Sequence, residues 1–130
     1  MRIQEEIVLV LMLTTVAIEC FRSRRAAVGP VWPTNKIPYM FSNRMDFDLD
    51  ARGKVEHILL LTQNMLAVEG QMCIEFVPRE DQTDYILFFD NGDCSSAVGY
   101  TKGINRISLS RNCISTEIVM HEIMHKYLMI

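Results

Sequence analysis

The spacing of apolar residues in the middle of the chain is that of an amphipathic helix. Over residues 51–69 the buried-type side chains recur every three or four positions, which places them on one helical face. The members of this face are Val55, Ile58, Leu59, Thr62, Met65 and Leu66. Asp50 is suited to cap the first turn, and Gly70 is suited to end the helix. The pattern therefore predicts one long helix.

Strand-like patterns lie on both sides of this helix. Alternating or continuous apolar residues predict strands at residues 34–41, 73–78, 85–89, 97–100 and 105–110. Pro33 and Pro38 lack the N–H that a ladder needs, so the first strand is expected either at a sheet edge or with these prolines at its start. The continuous apolar run at 85–89 favours a strand covered on both faces, and the polar segment 90–93 predicts a turn.

The last pattern along the chain is helical again. Ser115 or Thr116 can cap this second helix, and Glu117 stands in its first turn, where a negative charge is favourable. With 130 residues and no internal repeat, the chain is expected to form a single domain. A net charge of −3, with both signs mixed along the sequence, leaves no continuous basic surface and excludes nucleic acid as a partner.

The N-terminal segment differs from the rest. Residues 7–18 are an apolar run of about a dozen residues, too short for a stable membrane span, which needs roughly 20. We expect a signal peptide at 1–17 and a short pro-segment at 18–25 that ends in arginines, and hence a secreted protein. A buried N-terminal helix and a solvated arginine-rich segment are the alternatives for these two stretches.

The predicted mature part of the chain contains an odd number of cysteines. Cys20 lies at the edge of the targeting segment, so three cysteines stay in the mature part. Cys94 and Cys113 bracket a short segment and could close a loop, which leaves Cys73 without a partner. Reduced, buried thiols in a cytosolic protein are the alternative.

The second helix carries an H-E-x-x-H motif at residues 121–125. His121 and His125 are four residues apart, so they project from one face of the helix and can bind one metal ion. Zinc in a hydrolytic site takes three protein ligands and keeps a position for water. Glu122 can reach that water and act as its general base.

A wider set of segments, in order and with similar spacing, resembles the astacin family of metzincin metalloendopeptidases. The segments are RRAAV, WPTNKIPY, CIEFVPR, DYILFF, DCSSAVGY, NRISLSRNC and TEIVMHEIMH. They extend through nearly all of residues 26–130 and are far more specific than the five-residue motif. The resemblance implies an α+β fold: a zincin-like N-terminal subdomain with a twisted mixed β-sheet and two long helices, the second carrying the motif.

The resemblance also implies disulfides and a substrate cleft. In that family the cysteines matching Cys94 and Cys113 pair with each other. The cysteine matching Cys73 pairs with one near the end of the catalytic domain, which here would lie beyond Ile130. Residues 94–100 resemble the upper rim of the cleft, where an extended peptide pairs with an edge strand; an ordinary paired strand is the alternative.

The chain departs from the family pattern after His125. The metzincin motif continues H-E-x-x-H-x-x-G-x-x-H, with the glycine turning the chain towards a third histidine. Leu128 occupies the glycine position, and the sequence ends one residue before the third histidine position. We therefore expect the N-terminal half of a catalytic domain at residues 26–130, with one Zn²⁺ whose third protein ligand is missing from this chain.

The predicted function is that of a zinc-dependent metalloendopeptidase acting on a peptide or protein substrate, truncated and with weak zinc binding as written. A non-catalytic secreted fragment or inactive homologue that acts through binding is the main alternative. A zincin whose third ligand is a distant glutamate, and a chance occurrence of the motif, are two others.

Overall fold

The computed structural model describes residues 32–43, 48–68 and 73–127. Its elements, in chain order, are β1 (Lys36–Phe41), α1 (Leu49–Val68), β2 (Glu75–Pro78), β3 (Tyr85–Phe89), β4 (Cys94–Ser96), β5 (Ile104–Leu109), a 3₁₀ turn (Arg111–Cys113) and α2 (Thr116–Tyr127). The predicted signal peptide at 1–17, the pro-segment at 18–25 and Leu128 lie outside the described residues.

The five strands form one mixed sheet in the order β2-β1-β3-β5-β4. Strand β1 pairs in parallel with both β2 and β3, and β3 pairs in parallel with β5. Strand β4 is antiparallel to β5 and stands at the sheet edge. The mixed sheet with two helices confirms the predicted α+β class.

Strand β1 lies inside the sheet, which contradicts the edge position that its prolines allowed and leaves the alternative of a strand start. Pro38 pairs with β2 in register opposite Val77, whereas pairing with β3 begins only at Tyr39. The position without an N–H therefore precedes the ladder between β1 and β3 and removes no bond from it. A proline at the start of one ladder is compatible with an interior strand.

Helix α1 begins slightly earlier than the sequence predicts, and its cap is a different aspartate. The Asp48 carboxylate accepts a hydrogen bond of 2.7 Å from the backbone N–H of Ala51. Asp50, the predicted cap, lies within the first turn and forms an ion pair of 2.9 Å with Lys54. Two aspartates two residues apart are both compatible with a cap, and the hydrogen bond from the Ala51 N–H identifies Asp48 as the one that fills this role.

The core lies between the sheet and the two helices. The central strands contribute Ile86, Phe88, Ile107 and Leu109, all almost fully buried. Helix α1 contacts β2 and α2, while α2 contacts β4 and β5. Each enclosed side chain of this size stabilises the fold by about 1.5–3 kcal/mol. Within the described stretches, no helix combines the length and apolarity that crossing a bilayer requires.

Candidate metal centre

Helix α2 starts at a point that covalent and hydrogen bonds fix. Cys113, in the 3₁₀ turn before the helix, forms a disulfide with Cys94 of the edge strand β4. Ser115 then caps the helix: its hydroxyl accepts from the N–H of Ile118 at 3.4 Å, and its carbonyl accepts from the N–H of Val119 at 3.0 Å. The first turn of α2 is thereby anchored beside the sheet edge.

The three residues of the motif come together on α2. One candidate ligand atom from each of His121, Glu122 and His125 lies within 4.8 Å of the others. The two imidazole rings meet edge to face, with their centroids 4.4 Å apart. His121 is exposed, His125 is half-buried and Glu122 is buried. The helix thus presents an accessible imidazole pair beside an enclosed carboxylate.

Glu122 provides the test of whether the group suits a metal ion. Its side chain is only 6% exposed, and the buried Oε2 atom has no hydrogen-bond partner among the described residues. A carboxylate oxygen enclosed in this way costs free energy unless a donor or a cation approaches it. The two imidazoles are of a ligand type that zinc accepts, and the carboxylate beside them adds the negative charge that favours a cation. On both grounds the residues fit a zinc ion.

The buried face of α2 is unusual because two of its four positions are charged. Val119, Glu122, Ile123 and Lys126 follow the i, i+3, i+4, i+7 spacing of a core-facing stripe, and all four are buried. Lys126 is 2% exposed, and its burial lowers the pKa of its ammonium group. The helical spacing itself could have identified Lys126 as a core position, but the sequence analysis overlooked it.

Residues 97–100, which we call the rim loop, contact the last turn of α2. The sequence predicted a strand here, and this is wrong: the strand lies earlier, at Cys94–Ser96. Gly99 adopts a φ of 82°, which suits glycine and interrupts an extended strand. The N–H of Gly99 donates to the His125 carbonyl at 2.8 Å, and Lys126 Nζ donates to the Gly99 carbonyl at 3.3 Å.

The far side of the rim loop is supported by two polar groups. The buried Asn105 side chain accepts from the N–H of Thr101 and donates to the Thr101 carbonyl, each at 2.9 Å. The Tyr100 hydroxyl donates to Asp84, which also accepts from the N–H of Gly103. The Tyr100 hydrogen bond, followed by that from Gly103, lowers the pKa of Asp84, and the same carboxylate raises the pKa of Tyr100.

Comparison with known protein families gives a match over most of the chain. Residues 25–128 match the family described as Astacin (Peptidase family M12A). The chain belongs to the astacin family. The match confirms the resemblance that the quoted segments indicated.

Individual astacin-like relatives are similar over a smaller share of their own length. Zinc metalloproteinase nas-6 of Caenorhabditis elegans is 35% identical over 94 residues, which are 72% of this chain and 25% of the relative. Nematocyst expressed protein 6 of Nematostella vectensis is 38% identical over 82 residues, which are 62% of this chain and 26% of the relative. The chain thus spans about a quarter of the length of these relatives.

A solved astacin-like structure supports the same fold. High choriolytic enzyme 1, a hatching enzyme zinc-protease from the medaka fish Oryzias latipes, superposes with a TM-score of 0.59 at 25% identity. The superposition covers 74% of this chain and 46% of the fish protein. The mixed sheet and two helices described above are therefore an astacin-type arrangement.

Cys73 of this astacin-family chain also takes part in a disulfide. Its partner lies outside the described residues, which contain no free cysteine. The fourth cysteine of the chain is Cys20, which also lies outside the described residues. In the sequence it stands at the edge of the predicted targeting segment.

Proposed function

We propose that this astacin-family chain carries the metal-binding part of a zinc-dependent metalloendopeptidase, which hydrolyses bonds in a peptide or protein substrate. The observation that carries the proposal is the group His121, Glu122 and His125, with candidate ligand atoms within 4.8 Å of one another. The names of similar nematode proteins, which are zinc metalloproteinases, support it. Because the chain spans about a quarter of those relatives, the proposal concerns this part of the catalytic machinery.

His121 and His125 would hold the zinc ion through their imidazole nitrogens. When bound, the ion supplies Lewis-acid chemistry: it lowers the pKa of a water towards about 7 and polarises the substrate carbonyl. Hydrolytic zinc sites use three protein ligands, and among the described residues this group contributes two imidazoles beside the Glu122 carboxylate.

Glu122 would be the general base. Its Oε2 accepts no hydrogen bond from the described residues, so it is free to take a proton from the attacking water and to return that proton to the leaving amine. Glu122 is 6% exposed and lies on the same buried face of α2 as Val119 and Ile123. Residues in this role contribute roughly 100-fold to 10,000-fold to a rate.

The edge strand β4 would receive the substrate. It is the last strand in the sheet order and pairs only with β5 among the described strands. An extended peptide can add to such an edge through backbone hydrogen bonds. Because backbone groups are the same at every residue, this pairing would orient a substrate without selecting its side chains.

We also propose that the protein is secreted, with a signal peptide at 1–17 and a pro-segment at 18–25. The disulfide between Cys94 and Cys113 supports this, since such bonds persist in oxidising compartments. The apolar run at 7–18 supports it from the sequence. N-terminal sequencing of the protein from the culture medium of expressing cells would test both boundaries.

Zinc titration against a chelating dye tests the metal centre. We expect one zinc per chain. The zinc affinity should be at least about 10-fold lower in His121→Ala and in His125→Ala, because losing even a residue that only hydrogen-bonds to a metal ligand lowers metal affinity about 10-fold. His57, an exposed histidine on α1, provides the matched control: His57→Ala should bind zinc like the wild type. Equal affinity in all four proteins would contradict the proposal.

Cleavage of a mixed fluorogenic peptide library under excess zinc tests the chemistry separately. Glu122→Gln should keep the zinc affinity within a few-fold of wild type and lower the cleavage rate by at least about 100-fold. A wild-type chain that binds one zinc and cleaves no peptide would instead favour a non-catalytic protein that acts through binding. Cleavage unaffected by Glu122→Gln would remove Glu122 from the role of general base.

A further inference from the structure

Lys126 is a buried cation that the proposed chemistry does not use. It follows His125 directly in sequence, and its ammonium group donates to the Gly99 carbonyl at 3.3 Å. We infer that Lys126 is a positioning residue: it fastens the rim loop to the last turn of the metal-binding helix and so sets where an extended substrate lies relative to the imidazole pair. The substrate part of this inference rests on the proposed function.

Gly99 both donates a hydrogen bond to α2 and accepts one from it. The Gly99 N–H donates to the His125 carbonyl at 2.8 Å, and the Gly99 carbonyl receives the Lys126 ammonium. The first bond satisfies a carbonyl in the last helical turn, where intrahelical donors are lacking. Two bonds to successive helix residues fix the orientation of the Gly99 peptide as well as its distance from the helix.

The burial of the Lys126 ammonium group indicates that this group has a specific structural role. An apolar side chain would be cheaper to enclose, as Val119 and Ile123 on the same face illustrate. Lys126 forms no ion pair among the described residues; the ion pair found there joins Lys54 to Asp50 on α1. The Gly99 carbonyl is thus the acceptor that this part of the chain offers to a buried cation.

The fastening has a consequence for the surface that a substrate would meet. Val98 precedes Gly99, and its side chain is 53% exposed on the rim loop. On the other side of Gly99, Tyr100 is held by Asp84 and by edge-to-face contact with Trp32, with ring centroids 4.9 Å apart. Tyr100, at the end of the rim loop, is therefore attached to Asp84 and Trp32. Gly99, in the middle of the rim loop, is attached to α2 by Lys126.

Amide hydrogen exchange measured by NMR on the zinc-free chain tests the inference. In Lys126→Met, which keeps the length of the stem and removes the donors, the Gly99 amide should exchange at least about 10-fold faster. The amides of Ile107 and Phe88 in the central strands should be unchanged. Lys126→Arg retains a donor and should bring Gly99 exchange to within about threefold of wild type. Lys54→Met, at a lysine 59% exposed on α1, is the matched control and should leave Gly99 unaffected.

Each outcome decides the matter. Unchanged Gly99 exchange in Lys126→Met would overturn the inference, since the side chain would then only fill space. Faster exchange throughout the sheet in both Lys126 variants would also overturn it, because it would make Lys126 a requirement of the whole fold.

Peptide cleavage gives a second readout. With zinc present, Lys126→Met should raise KM several-fold with little change in kcat, because the imidazole pair and Glu122 are untouched. If Lys126→Met exchanged faster at Gly99 but kept the KM of the wild type, the claim that Lys126 sets the position of the substrate would be overturned. Cleavage absent from the wild type, with the exchange results as expected, would count against the proposed function and leave the attachment of the rim loop standing.

Discussion

Single buried polar residues connect the elements of this molecule. The Tyr39 hydroxyl of β1 donates to the Glu56 carboxylate of α1 at 2.9 Å. Lys126 joins α2 to the rim loop in a comparable way. Sequence patterns predicted the helices that carry Glu56 and Lys126, yet neither bond could be predicted. Each depends on the tertiary distance between a side chain and a residue at least 17 positions away, which periodicity does not contain.

The pair of Tyr39 and Glu56 predicts how stability depends on pH. Burial, and then the Glu56 carboxylate, raises the pKa of Tyr39 to about 12 from its ordinary value of 10.0. Because the folded pKa is above the unfolded one, the stabilisation is complete below about pH 10 and is lost as the pH rises to about 12. Tyr39→Phe should lack this alkaline loss and be less stable by about 1 kcal/mol at pH 7.

Urea unfolding of both proteins between pH 7 and pH 12 measures this difference, and tyrosinate absorbance identifies the group that titrates late. In Tyr39→Phe the tyrosine with a pKa of about 12 should be missing from the folded protein, while Tyr100, whose pKa Asp84 raises, remains. An alkaline loss of stability as steep in Tyr39→Phe as in the wild type would assign the loss to another group.

At the scale of elements, the sequence predicted much of the described sheet and both helices. The run at 85–89 became β3 with the same bounds, and α2 begins at Thr116, as the cap residues indicated. The errors fall where local signals are ambiguous: the prolines around β1, the strand at 97–100 and the cap of α1. For β1 the strand partners, which lie far away in sequence, decided the outcome, and for residues 97–100 the contact of Gly99 with α2 did. The cap of α1 was a local choice between two neighbouring aspartates.

The cap of α1 can be tested with two neighbouring aspartates. Asp48→Ala removes the acceptor for the Ala51 N–H and should lower the free energy of unfolding by about 1 kcal/mol. Asp50→Ala removes the same charge nearby but only an exposed ion pair with Lys54, so its effect should be much smaller. Chemical denaturation of the two variants measures the difference; an equal loss in both would mean that charge near the helix start, and no cap, stabilises α1.

For the whole molecule, the disulfide between Cys94 and Cys113 links the edge strand to the start of the helix that carries the H-E-x-x-H motif. Its cysteines are 19 residues apart, and the loop between them includes the rim loop and β5. A disulfide that closes a loop of this length restricts the unfolded chain and raises the free energy of unfolding by about 3 kcal/mol. It also holds β4, the proposed substrate edge, near the helix that carries His121 and His125. Stability of the fold and geometry of the candidate centre therefore depend on the same bond.

Replacing both cysteines tests this link. The double variant Cys94→Ser with Cys113→Ser should have a free energy of unfolding about 3 kcal/mol lower than that of the wild type, as measured by urea denaturation. Substitution is preferable to a reducing agent, because Cys73 is also disulfide-bonded and a reductant would break that bond too. The Gly99 amide should exchange faster in the variant even under conditions where the central strands stay protected, since the rim loop loses one of its attachments. A loss of stability with no local change at Gly99 would mean that the disulfide acts on the unfolded chain alone and leaves the position of the rim loop to Lys126 and Asn105.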